Sequence, residues 1–128
     1  MEQAMFEALS WIYLSNAVLL IVHEIDSAYW KEWDLFKLPG GITGFLIIHF
    51  PLVFLVLYGL TLVNQHSSAG LIFSLVLSFA GVFAFTIHTF FIRKGRNEFK
   101  VPVSLFILVA TLVVSLAQAA ITIYLMVV

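Results

Sequence analysis

ITGFLIIHFPLVFLVLYGLTLV, residues 42–63, runs without a single Asp, Glu, Lys or Arg. A helix rises about 1.5 Å per residue and needs about 20 apolar residues to cross a hydrocarbon core of about 30 Å, so this stretch reads as a membrane span. Working outward, three more stretches meet the same criterion, at about 5–24, 69–92 and 102–127. The breaks between them carry turn chemistry: Pro39-Gly40-Gly41, Asn64-Gln65-His66-Ser67-Ser68, and Arg93 to Lys100 followed by Pro102. Connections this short favour antiparallel neighbours. The expectation is an all-α polytopic membrane protein, one domain over residues 1–128, built as a four-transmembrane-helix up-down bundle.

Composition agrees. The chain is 62% hydrophobic and 10% charged, with a mean hydropathy of +1.10, whereas a soluble domain carries about a quarter charged residues. A net charge of -1 offers no basic field for nucleic acid. The absence of cysteine excludes disulfides, thiolate metal sites and a cysteine nucleophile. Glu2 and Glu7, rather than basic residues, precede the first span and no small-residue cleavage site follows it, so a cleaved signal peptide is not expected.

All six Lys and Arg residues fall in two loops, Lys31 and Lys37 after the first span and Arg93, Lys94, Arg96 and Lys100 after the third. The positive-inside rule makes that side cytoplasmic and turns both termini outward. Between Glu24 and Phe36 the chain is polar, with Tyr29, Trp30, Trp33 and Phe36. It reads as a helical extension of the first span into the interface or a short helix lying on it, its aromatics anchored at headgroup level.

Three histidines reach one layer. His88 lies five residues before Arg93, about 7–8 Å inward at helical rise; His49 comes to about 7–10 Å and His23 to about 12 Å. On the first helix Asn16, His23, Asp26, Ser27 and Trp30 keep to one stripe, with Glu24 about 100° around from His23. On the third, Ser74, Ser78, Gly81, Phe85 and His88 share a face whose small members allow close helix approach. His49 precedes Pro51, whose missing N–H can free a backbone carbonyl. Ionisable groups at membrane depth are functional candidates. Three imidazoles with a carboxylate suit a first-row metal: His23, His49, His88 and Asp26 are the candidate ligands, Glu24 the candidate general base, and Ser27 a group positioning substrate. Zinc leads, with iron or manganese as alternatives. His66, among Asn64, Gln65 and Ser67, reads as a solvated loop residue. On the fourth span Ser104, Thr111, Ser115, Gln118 and Thr122 share a face suited to interhelical hydrogen bonding.

The run His23-Glu24-Ile25-Asp26, the pair Glu32-Trp33 and the element His49-Phe50-Pro51 resemble a family of small uncharacterised four-span membrane proteins with a His-Glu-Leu-Asp-like element, a Glu-Trp pair and a His-x-Pro element in that order. The resemblance covers the first half of the chain and the four-span layout, and implies that His23, Glu24, Asp26, Glu32 and His49 belong to the family pattern. A looser similarity is to membrane proteins named for a His-x-x-Glu-Glu motif, although Asp26 and Ser27 stand where those have paired glutamates. In residue types alone the cluster is similar to that of membrane-embedded metal-dependent lipid hydrolases.

The leading expectation is a membrane-embedded, metal-dependent hydrolase acting on a lipid or amphiphile from the cytoplasmic leaflet. A four-helix haem protein with two axial histidines, a small proton-coupled transporter and a structural assembly subunit are the alternatives. Stripes of small residues permit a homodimer.

Overall fold

The computed structural model describes residues 1–128 as five helices: α1 Glu2–Tyr29, α2 Glu32–Leu35, α3 Gly41–Asn64, α4 Ser68–Arg93 and α5 Pro102–Val127. Four of them are long and apolar enough to cross a membrane, which makes the chain an all-helical, multi-pass integral membrane protein. Large apolar side chains such as Ile47, Phe50, Phe54, Phe79 and Phe106 are more than half exposed. In water such a surface would aggregate; in a bilayer it is the lipid-facing wall.

Local sequence sets the ends. The Ser67 hydroxyl donates to the Leu62 carbonyl at 2.9 Å and accepts from the Gly70 N–H at 3.0 Å, closing α3 and capping α4 with one side chain. Pro102 occupies the first turn of α5, where its missing N–H costs nothing. The first span is longer than the apolar stretch: α1 continues through Asp26 to Tyr29, and α2 follows after a reversal at Lys31 in the left-handed region, φ 52°. Both forms expected for the polar segment, extension and short helix, therefore occur in succession. Pro51 lies within α3, which runs unbroken to Asn64.

The helices α1, α4 and α5 pack mutually, while α3 touches α1 and α4 but not α5. Only 11% of the α3 span is buried, against 39% for α4, so α3 is the peripheral helix. The apolar core of Phe6, Leu9, Tyr13, Ala17, Leu20, Leu71, Leu77 and Leu125 lies toward the termini. A smaller cluster of Leu35, Phe99 and Leu108 lies toward the basic loops.

Polar residues stitch the three inner helices. Asn16 Nδ2 donates to Gln118 Oε1 at 2.8 Å and to Ser115 Oγ at 3.0 Å. Gln118 Nε2 donates to the Ser74 carbonyl at 3.0 Å and Oγ at 2.9 Å, and Ser74 Oγ meets Thr122 Oγ1 at 2.7 Å. All five polar residues of the α5 face are buried. Where α4 meets α5, a Cβ on Gly81 would collide with Ser115 Oγ.

Candidate functional site

One cavity of about 200 Å³ lies where the basic ends of α1, α3 and α4 meet α2. Its polar lining is His23, Glu24, Glu32, His49 and His88; Trp33, Phe36 and Phe45 are among its apolar walls. Three of the side chains expected at a site, His23, His49 and His88, are thus gathered with Glu24, and Glu32 joins them. Asp26 and Ser27 are not in the lining. The Asp26 carboxylate accepts from Trp30 Nε1 at 3.0 Å, one helical turn on, and Ser27 is fully buried beside His23 on the inner face of α1.

Glu24 turns to α3, where its Oε2 lies 2.7 Å from His49 Nε2. His49 Nδ1 lies 2.7 Å from the Phe45 carbonyl oxygen. That oxygen only accepts, so Nδ1 carries a hydrogen and donates it. The contact of Nε2 with the carboxyl group at 2.7 Å then requires a proton between them, since two lone pairs would repel. Whether written as imidazolium and carboxylate or as imidazole and carboxylic acid, the pair holds one shared proton and is neutral overall. Neutrality is what a low-dielectric setting favours. The Phe45 ring stacks on the imidazole at 3.7 Å, and Trp33 packs edge-on against Phe45 at 5.7 Å, fixing the ring's plane.

His88 is almost wholly buried, and its Nε2 lies 3.5 Å from Glu32 Oε1, at the limit of a direct hydrogen bond. Burial pushes the Glu32 carboxyl up, but the His88 and Ser27 side chains beside it outweigh that, leaving it below its usual range. His23 stands edge-on to His88 with ring centroids 4.7 Å apart. Phe99, at φ 66° and 1% exposed, covers both from the loop before α5, 4.1 Å from the His88 ring. The Nδ1 atoms of His23 and His88 are buried without a hydrogen-bond partner, as is Asp26 Oδ2.

The expected ligand set of His23, Asp26, His49 and His88 does not converge. No three His, Asp or Glu side chains stand arranged to hold a metal ion, because Glu24 engages His49 and Trp30 engages Asp26. Glu32 is the site residue that spacing missed. It lies outside the apolar spans and reaches the cavity only through the reversal at Lys31, a left-handed backbone at a residue with no particular tendency for it; the Glu32-Trp33 element of the resemblance was its one signal. Of the four expected interfacial aromatics, Tyr29 is 76% exposed, whereas Trp33 and Phe36 line the cavity. His66 is exposed in its loop, yet stacks on Phe6 at 4.4 Å.

Residues 9–125 match the family described as "Family of unknown function (DUF6713)", and the chain belongs to that family. No curated protein and no solved structure matches the chain.

Proposed function

We propose that this member of the DUF6713 family is a membrane-embedded metal-dependent hydrolase, taking a divalent ion, zinc first, and acting on an amphiphile that enters from the cytoplasmic leaflet. One observation carries the reading: four chain segments bring three imidazoles and two carboxylates to a single cavity about 200 Å³ in volume. His23, His88 and Glu32 do not stand as a ligand set in their present positions and would have to draw together around an ion; Glu32 lies 3.5 Å from His88 and the two imidazoles are neighbours. The positive-inside rule, applied to the six basic residues of two loops, puts the cavity at the cytoplasmic edge with both termini outside.

A divalent ion held there would supply a water acidic enough to be a nucleophile near neutral pH. The chain's own part is the proton. In hydrolysis the proton shared by Glu24 and His49 would pass to the leaving oxygen as its bond to the carbonyl carbon or phosphorus breaks and the bond from water forms. The pair then recovers a proton from the attacking water, so protons balance over the turnover. At about 200 Å³ the cavity is smaller than the roughly 300 Å³ at which small-molecule sites begin. That suits a hydrated ion with the polar end of a substrate, and not a haem macrocycle.

Elemental analysis of purified protein tests the reading. One divalent ion per chain is expected in wild type, lost in His88→Ala and Glu32→Ala. Wild type without stoichiometric metal would overturn it. The shared proton of Glu24 and His49 favours a second reading, a proton-coupled carrier, for which proton flux in liposomes abolished by Glu24→Gln is the corresponding result.

A further inference from the structure

Beside the polar cavity lies a second, almost wholly apolar groove of about 390 Å³ between α3 and α4. The two share Leu20, Leu52 and Ala80 in their linings, so a polar cavity and an apolar groove lie side by side. Helix packing explains the groove. Near the loop that joins them, α3 and α4 are pressed together: a Cβ on Gly70 would meet the Leu62 backbone at 2.6 Å, and one on Gly59 would meet Phe73 at 2.8 Å. Toward the basic end α3 is tied to α1 by the Glu24–His49 pair. Between them the groove opens, with Tyr13 and Leu20 of α1 among its lining.

Burial distinguishes floor from rim. Tyr13, Leu20 and Leu77 are 0%, 6% and 3% exposed, whereas Leu55 and Val76 at the edges are 50% and 61% exposed. The groove is therefore open sideways to lipid. At its far end the Tyr13 hydroxyl donates to the Val56 carbonyl at 2.7 Å and ties α1 to α3. From Ile48 to Val56 the groove follows α3 for about 12 Å.

We propose that this groove holds the hydrocarbon chain of a single-chain amphiphile whose polar end lies among His23, His49 and His88. The inference deepens the proposed hydrolase reading and rests on it for what happens at the polar end. Depth argues against an ordinary bilayer lipid as the occupant. His49 lies eight residues along α3 from Gly41, about 12 Å inside the helix end, so a polar group that reaches it has passed about two helical turns into the bundle. A chain lying end-on to the imidazoles belongs to a molecule whose polar end has been drawn into the protein. There is one groove, hence one chain.

The probe is a lysophosphatidylcholine with a diazirine in mid-chain, irradiated with the protein in nanodiscs and mapped by mass spectrometry. Adducts are expected on Leu52, Leu55 and Val76 at several-fold higher yield than on Val109 and Val113, lipid-facing residues of α5 that are 51% and 60% exposed. Ala80→Trp, at the junction of the two cavities, is expected to lower the groove adducts several-fold and leave those on α5 unchanged. Val76→Trp, at the lipid-facing rim, is expected to do the same without loading the core. Equal yields on the groove and on α5 in wild type, or groove adducts indifferent to both substitutions, would overturn the inference. Metal content of the same preparation separates the two claims: bound metal with uniform labelling removes the groove alone, and groove labelling without metal removes the metal reading alone.

Discussion

Replacing Glu24 by Gln and by Ala should have different consequences, because the two variants treat the shared proton differently. In Glu24→Gln the amide N–H can donate to His49 Nε2 while Nδ1 still donates to the Phe45 carbonyl, so the geometry survives with a neutral imidazole and no proton to share. In Glu24→Ala, Nε2 loses its partner. A hydrogen bond to a charged group contributes about 1.5–3 kcal/mol, but both side chains are about one-fifth exposed, 20% for His49 and 18% for Glu24. Water then replaces part of the loss, which places the bond near about 1.5 kcal/mol, and the lost methylene adds at most about 0.8 kcal/mol. The expected destabilisation is about 2 kcal/mol for Glu24→Ala and under about 1 kcal/mol for Glu24→Gln. Equilibrium unfolding in mixed detergent and dodecyl sulfate micelles reads this difference. Imidazole ¹⁵N spectra should show a neutral Nδ1–H tautomer for His49 in Glu24→Gln. Equal destabilisation in the two variants, or wild-type stability in Glu24→Ala, would refute the shared-proton argument.

Gln118→Leu removes one hydrogen bond to α1 and two to α4; at about 0.6 kcal/mol each in a bilayer, a loss near 2 kcal/mol is expected in the same unfolding assay, and adding Asn16→Leu should cost less than a further independent loss. Because the Glu32 carboxyl is held below its ordinary value of 4.5 in the folded chain, its contribution to stability is complete above pH 4.5 and is lost as pH falls through the lower folded value. The acid limb of a thermal-stability profile should therefore be shallower in Glu32→Gln than in wild type. Cysteine is absent from the chain, so single cysteines at Ser68 and Asn97 report orientation directly: an impermeant thiol reagent applied to intact cells should label Ser68→Cys and spare Asn97→Cys.

The layer of the histidines was legible because helical rise converts residue counts into depth. Counting from Lys31, from Ile42 and from Arg93 brings His23, His49 and His88 to one level, and all three line one cavity. The stripes of α4 and α5 were equally readable: small and hydroxyl side chains at helical spacing have a purpose only against another helix, and Ser74, Ser115, Gln118 and Thr122 meet there. Rotation about the helix axis was harder. Asp26 shares a stripe with His23, yet it turns to Trp30, while Glu24, about 100° away from His23, faces α3 and reaches His49. A helix at the corner of a bundle has two partners, and a single stripe describes only one of them.

The sequence by itself determined the number of spans and the shared helical level of His23, His49 and His88, since these follow from hydrophobic length and a constant rise per residue. Which carboxylate meets which imidazole was decided only by the tertiary structure. Those pairings depend on the packing of α1 against α3 and on the left-handed reversal at Lys31 that carries Glu32 back to His88. Both are set by packing between segments distant in the chain, and no periodicity within one segment encodes them.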